Sequence, residues 1–285
     1  MNLIISFFII GSFFLYYLYK FLIKYNILVE KVDRSSHKKF LFLNDQKSYV
    51  GGFFLLITLV FFVFDKNFFF IISLILIFLV GILSDSDVIS SPQIRLFIQL
   101  IVIIIFVTYS NTLVEDTRIE LIDNLLKNNF FKIIFTMFCF LVLINGCNFI
   151  DGANSLLIGY FLIVSICIFI LSSSESVIFE EESLDIIICC LLILFVFNFF
   201  SKIIMGDSGA YLLGFLFGYY AIILAKENLN ISPFYILNLL WYPAFENLFS
   251  ILRKIKSKIS VSTPDNYHLH HFVFLELKKN FKKNN

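Results

Sequence analysis

The sequence predicts an all-α fold: a polytopic transmembrane helical bundle of about nine spans, with its N-terminus outside and its C-terminus cytoplasmic. Three observations carry this. Hydrophobic residues make up 59% of the 285 residues and charged residues 15%. Soluble domains hold roughly 25% charge, so this chain lacks the polar residues to coat a water-facing globule. The apolar residues fall in runs of about the 17–25 residues that a bilayer-spanning helix needs. The lysines and arginines between those runs are unevenly shared between the two sides. Lipid offers backbone N–H and C=O groups no partner, so the runs have to be helices.

In chain order the spans centre on residues 2–23, 49–64, 67–84, 93–110, 130–146, 155–172, 184–201, 208–225 and 233–252. The first lacks a basic start and a small-residue cleavage site, so it is expected to be a retained span rather than a signal peptide. The second is short and opens on Gly51-Gly52, which suits a tilted helix or one buried among its neighbours. The last holds Pro243 and Glu246. No internal repeat or low-complexity linker divides the chain, so residues 1–285 are read as a single transmembrane domain.

Orientation follows from the positive-inside rule. With the N-terminus outside, only Lys66, Arg118, Lys127, Lys132 and Lys226 face out, and the other 17 of the 22 basic residues face in. The outer segments also collect the acidic run Glu180-Glu181-Glu182. A net charge of +1 and the lack of a basic stripe with interleaved aromatics exclude nucleic acid as a partner. The five cysteines lie in apolar runs without ligand-like pairing to histidine, and read as small hydrophobes.

With the sides assigned, four chemically dense segments fall on the inner face: Ser84-Asp85-Ser86-Asp87, Asn145 to Asn154, Met205-Gly206-Asp207-Ser208-Gly209, and His268-Leu269-His270-His271. Asp207 stands where an inner turn becomes a span, between glycines that let a ligand approach the backbone. It suits either Mg²⁺, a cation that takes oxygen ligands and shares its shell with phosphates, or a helix N-cap. Asn145, Asn148, Asp151 and Asn154 recur every three residues, which on a helical turn places them close to one face. Turn chemistry alone accounts for part of that composition.

His268, His270 and His271 are too few and too crowded for an easy zinc site. Beside Arg253, Lys254, Lys256 and Lys258 they suit a phosphate-rich ligand, although those cations also read as an ordinary positive-inside flank. Glu246, an acid within a span, is a functional candidate by default and is close enough in sequence to pair with Arg253.

Together these segments resemble the polyprenyl-phosphate N-acetylhexosamine-1-phosphate transferases, the glycosyltransferase family 4 type that includes MraY and WecA. The matching motifs are Gly51-Gly52, the Asp85 loop with Ser91-Pro92-Gln-Ile-Arg95, Asn145 to Asn154, Met205-Gly206-Asp207-Ser-Gly209, and Pro264-Asp265-Asn-Tyr-His268-Leu-His270-His271. They occur in the family's order. The resemblance implies transfer of a sugar 1-phosphate from a UDP-N-acetyl sugar to a polyprenyl phosphate, with release of UMP, in a bacterial inner membrane. It further implies cytoplasmic catalytic loops and Mg²⁺, with Mn²⁺ as a substitute, and leaves room for a homodimer. By position, Asp207 resembles the family's metal-binding aspartate and Asn148 a second ligand. Asp85 resembles the second member of an acidic pair that activates the lipid phosphate. Arg95 resembles a basic residue near the phosphates. Asn145, Asp151, Asn154 and the His268, His270 and His271 loop fall in substrate-binding positions.

This chain departs from the family at several points. Ser84 stands in place of the first aspartate of the acidic pair, and the loop is one residue longer. Asn154 replaces a frequent aspartate, Ser48 a frequent proline, and the chain ends soon after His271. Direct attack by the lipid phosphate is the expected route, with a protein aspartate as nucleophile the alternative. A transporter would show paired repeats and a midplane site, and an inactive relative of the transferases is a further alternative. An intramembrane aspartyl protease would need a second aspartate motif, which the sequence lacks.

Overall fold

The computed structural model describes residues 2–29, 47–62, 68–172, 181–260 and 268–283. Among them, twelve helices follow in order: α1 (Asn2–Lys24), α2 (Val50–Phe62), α3 (Phe68–Asp85), α4 (Pro92–Ser110), α5 (Glu120–Leu126), α6 (Asn129–Ile150), α7 (Leu156–Ser172), α8 (Glu181–Phe199), α9 (Gly206–Glu227), α10 (Pro233–Leu239), α11 (Trp241–Lys256) and α12 (Leu269–Lys283). Five of these, α1, α3, α4, α6 and α9, are long and apolar enough to cross a bilayer. Three more segments, α2, α7 and the Ser183–Phe199 part of α8, are apolar over 10–17 residues. These eight helices coincide in sequence with the first eight predicted spans, and five of them have the length and composition to cross a bilayer.

The ninth predicted span differs. Residues 233–252 are not one helix, because α10 and α11 meet at Leu240 with φ −109° and ψ 12°. Pro243 supplies the reason. In a continuous helix its ring would collide with the carbonyl four residues back and its missing N–H would break the ladder. Restarting at Trp241 puts Pro243 in the first turn of α11, where no intrahelical acceptor is waiting. α5 and α12 have no counterpart among the predicted spans.

The core is built around α9. Every residue from Ser208 to Tyr220 is buried, as expected of a helix enclosed on all sides. Its aromatics interlock with three neighbours. Phe70 of α3 meets Phe215 at 5.8 Å and Tyr219 at 4.2 Å, while Phe106 of α4 and Phe140 of α6 meet Phe215 at 4.9 and 5.3 Å. Such ring pairs each add about 0.5–1.5 kcal/mol beyond area burial.

Close backbone contacts fix the register. A Cβ on Gly214 would lie 2.6 Å from Ile144 Cα, and one on Gly218 would lie 2.9 Å from the Phe140 ring. Advancing along α9 therefore means retreating along α6, and this antiparallel register brings Asp207 level with Asp151. α4 is likewise antiparallel to α6, since Gln99 bonds Asn145 and Phe106 packs on Phe140. One turn outward from the Gln99–Asn145 pair, Arg95 comes level with Asn148.

The loops consequently gather at two ends. At one end the 111–128 connection meets the end of α9, where Lys226 pairs with Glu115 at 3.4 Å and Arg118 donates to the Leu229 carbonyl at 2.7 Å. At the opposite end lie the C-termini of α3 and α6 and the N-termini of α4 and α9, which carry the polar motifs.

Candidate active site

The site starts from the end of α9. The first N–H groups of any helix lack intrahelical acceptors, and Met205 before α9 gives no side-chain cap. Asp85, the last residue of α3, fills that role from another helix. Its Oδ1 accepts the Asp207 N–H at 2.8 Å, and its Oδ2 accepts the Ser208 N–H at 3.1 Å and the Ser208 hydroxyl at 2.8 Å. A carboxylate at a helix N-terminus also meets the positive end of the dipole.

Gly206 makes this contact geometrically open. Its φ is +67°, and a Cβ there would lie 2.7 and 2.8 Å from the two Asp85 oxygens, so both conformation and space require glycine. Of the two sequence readings of Asp207, the capping role falls to Asp85. Asp207 itself lies in the first turn of α9, only half-buried in an otherwise buried stretch.

Asp207 gathers a polar cluster on its Oδ2. Arg95 Nη1 approaches at 2.5 Å, the Ser84 hydroxyl donates to the same oxygen, and the Tyr211 hydroxyl lies at 3.4 Å. Arg95 Nη1 also donates to Ser84 Oγ at 2.5 Å. Ser84 thus binds both charged partners at the position where the resembling family carries an aspartate. Asp87 is exposed, whereas Asp85 is half-buried.

The Asn145–Asn154 segment divides at the end of α6. Asn145 uses its amide for packing, donating to Gln99 Oε1 at 3.0 Å and to the Leu141 carbonyl at 2.9 Å. Asn148, one turn further on, makes no side-chain hydrogen bond among the described residues. Asp151 is the C-cap of α6. There the helix ends, so Asn154 does not stay on the face that its spacing predicted. It is exposed, and donates to Ser201 Oγ at 2.6 Å in the turn after α8. The positive φ of Ser155, 64°, marks the change of direction.

His268 immediately precedes α12, and His270 and His271 lie in its first turn rather than in an open loop. The rings of His268 and His270 are nearly parallel at 5.7 Å, and His270 and His271 are 4.2 Å apart. His268 is stacked on Phe149 of α6 at 5.1 Å, and a Cβ on Gly152 would lie 2.6 Å from His270 Nε2. The turn therefore rests on the end of α6, next to Asn148 and Asp151. Burial, with smaller effects from His271 and His268, pushes His270 down to about 4, which keeps its ring neutral at ordinary pH. The Pro264-to-Tyr267 part of the motif lies outside the described residues.

Two further residues take places other than those the sequence offered. The sequence neighbour proposed for Glu246 was Arg253, but its carboxylate faces His268 at 3.0 Å. Lys254, read as part of a positive flank, is only 6% exposed and lies 5.9 Å from the centre of the Phe149 ring.

As for a divalent cation, no group of three His, Cys, Asp or Glu among the described residues could hold a metal. What the end of the bundle offers is oxygen: the Asp207 carboxylate, whose side-chain hydrogen bonds all fall on Oδ2, and the Asn148 amide. A sparse oxygen set fits Mg²⁺, which keeps waters and takes substrate phosphates into its shell.

An all-helical bundle with several apolar helices and one polar end of this kind defines a multi-pass membrane protein. The chain belongs to glycosyl transferase family 4, whose family model matches residues 67–225. It is 28% identical over 199 residues to the "Probable undecaprenyl-phosphate N-acetylglucosaminyl 1-phosphate transferase" of Bacillus subtilis, across 69% of this chain and 55% of that protein. It is 27% identical over 161 residues to the decaprenyl-phosphate N-acetylglucosaminephosphotransferase of Mycolicibacterium smegmatis, across 49% of this chain and 40% of that protein. With the undecaprenyl-phosphate alpha-N-acetylglucosaminyl 1-phosphate transferase of Thermotoga maritima it shares 26% over 231 residues, across 81% of this chain and 69% of that protein. The chain spans about half the length of the first two of these relatives.

Proposed function

We propose that this protein transfers an N-acetylhexosamine 1-phosphate from a UDP-N-acetyl sugar to a polyprenyl phosphate, releasing UMP and starting a lipid-linked cell-envelope glycan. One observation carries the reading: Arg95, Ser84 and Asp207 converge where the buried helix α9 begins, level with Asn148, in a family 4 chain. In this reading residues 1–285 work as one transferase domain in a bacterial inner membrane, with about nine membrane passes and the polar end facing the cytoplasm. That side is where a soluble nucleotide-sugar meets a lipid phosphate at headgroup level.

The reaction is a phosphoryl transfer. An oxygen of the lipid phosphate attacks the β-phosphorus of the UDP-sugar, the bond from that phosphorus to the bridging oxygen breaks, and UMP leaves with the electron pair. Catalysis of this class depends on positioning and on neutralising charge. Arg95 brings a guanidinium to the phosphates, a group matched to their oxygens. Asp207 and Asn148 would hold Mg²⁺ or Mn²⁺, which when bound would neutralise charge on the diphosphate. Asp151, at the end of α6, borders the donor's approach, and the His268–His271 turn supplies imidazoles to the nucleotide side, while Asn145 packs against Gln99 and Asn154 bonds Ser201 away from that face.

Asp85 fixes the helix start that carries Asp207; to act as a base it would have to release Ser208 when the lipid phosphate arrives. A phosphate monoester already carries a competent oxygen nucleophile, so direct attack by the lipid phosphate is favoured over a covalent aspartyl route. The test is a screen of purified protein with undecaprenyl phosphate and several UDP-N-acetyl sugars, with Mg²⁺ or with EDTA. Metal-dependent UMP release with at least one sugar supports the proposal, and full activity in EDTA overturns its metal component. No release with any sugar leaves the inactive-relative reading.

A further inference from the structure

Glu246 is a buried carboxylate that the proposed chemistry leaves unused. It is 2% exposed and sits on a stretch of α11 fixed to α6 on both sides. On one side, a Cβ on Gly146 would collide with the Pro243 backbone. On the other, Asn247 donates to the Val142 carbonyl at 2.9 Å. From this fixed position the carboxylate reaches across to another segment. Its Oε1 accepts the Leu269 N–H at 2.7 Å, and its Oε2 lies 3.0 Å from His268 Nδ1.

Each contact has a definite consequence. Leu269 is the first residue of α12, so its N–H has no intrahelical acceptor, and Glu246 caps that helix from outside. An ionised carboxylate only accepts hydrogen bonds, so Nδ1 of His268 must carry the proton. The other nitrogen, Nε2, is then an acceptor in the neutral ring and a donor in the charged one. With Phe149 stacked at 5.1 Å and His270 at 5.7 Å, both orientation and tautomer of the ring are set.

We propose that Glu246 is a positioning residue for the donor site: it holds His268 as the Nδ1–H form and fixes the His268–His271 turn against the end of α6. The inference rests on the reading of that turn as the part that binds the nucleotide-sugar. It places Glu246 in the role that carboxylates play behind ligating imidazoles elsewhere, where removing the partner costs roughly 10–100-fold in affinity or activity.

The decisive variant is Glu246→Gln in the full-length protein. Its amide oxygen can still cap Leu269, but its NH₂ then faces His268 Nδ1 and forces the proton to Nε2. The chain has four histidines, so ¹⁵N-histidine labelling resolves the change directly. The expected result is a protonated Nδ1 signal for His268 in wild type and an unprotonated one in Glu246→Gln. Hydrogen exchange at the start of α12 should stay protected in Glu246→Gln and become fast in Glu246→Ala. In turnover, Glu246→Gln should raise the KM for UDP-GlcNAc roughly 10–100-fold with kcat within about threefold. An unchanged His268 nitrogen signature, or unchanged KM with the signature changed, overturns the proposal. If wild type neither binds nor turns over UDP-GlcNAc, the donor-site reading fails, while nitrogen signals and exchange still decide whether Glu246 positions the turn.

Discussion

Replacing Asp85 by alanine would strip three hydrogen bonds from the start of α9 in one step: those from the Asp207 N–H, the Ser208 N–H and the Ser208 hydroxyl. Loss of a capping side chain costs about 0.5–2 kcal/mol. Loss of its charge at the helix N-terminus adds about 0.3–1 kcal/mol. Ser208 is 1% exposed, so its hydroxyl cannot turn to bulk water and is left with only the long 3.5 Å contact to the Met205 carbonyl, which adds about 1 kcal/mol. The expected destabilisation is therefore about 2–4 kcal/mol. Asp87 is exposed, and Asp87→Ala should stay within about 0.5 kcal/mol of wild type. Reversible unfolding in detergent micelles, paired with a turnover assay, reads both quantities. Asp85→Ala should lose stability and nearly all turnover, and Asp87→Ala should keep both. Asp85→Asn separates capping from base chemistry, because it retains the shape and one acceptor oxygen. A small stability change with turnover down about 10²–10⁴-fold would assign Asp85 a direct part in proton transfer. Asp85→Ala with wild-type stability would refute the capping argument, and damage confined to Asp87→Ala would show that the loop register is wrong.

Other expectations follow from single contacts. Arg95→Lys keeps the charge but loses the guanidinium whose Nη1 reaches both Asp207 and Ser84, so kcat/KM should fall about 10–100-fold; a wild-type value would remove Arg95 from the site. His270 is held near 4 in the folded protein against about 6.5 in an unfolded chain. Between those values the unfolded chain binds the extra proton, so stability drops as pH falls through that window. His270→Gln should flatten that slope, and an unchanged slope would place its cause elsewhere. A cysteine near Glu181 should react with an impermeant reagent outside the cell and one at His270 should not; external labelling at His270 would reverse the proposed orientation.

How much of this was legible in the sequence depended on whether the signal was local. The apolar helices were, since each run of Phe, Ile and Leu is self-contained. So was the break before α9, because Gly206 and Gly209 flank Asp207 where the apolar run begins, and the structure gives Gly206 a φ of +67°. Pro243 was visible too, but apolar residues on both sides of Leu240 hid the split between α10 and α11. α12 was missed because Leu269, Phe272, Val273 and Leu275 are followed by lysines and fall short of a span, although their spacing suits an amphipathic helix. The partners were not legible. Ser84 meets Asp207 across 123 positions, Arg95 across 112 and Asp85 meets Ser208 across 123, and nothing in a single sequence links residues so far apart. Ser84 therefore read only as a missing acid, and nothing in the sequence singled out Tyr211 or Gln99. Glu246 was singled out as an acid within a span, while its nearest cation in sequence, Arg253, suggested the wrong partner.

UMP release by purified wild type and by Asp207→Asn, each with UDP-GlcNAc, undecaprenyl phosphate and Mg²⁺, tests the central claim most directly. Asn fills nearly the same space as Asp, so the helix start should survive while the charge that would hold the cation is lost. The account predicts UMP from wild type in step with sugar entering the lipid fraction, and almost none from a folded Asp207→Asn. Equal release by both proteins would contradict it.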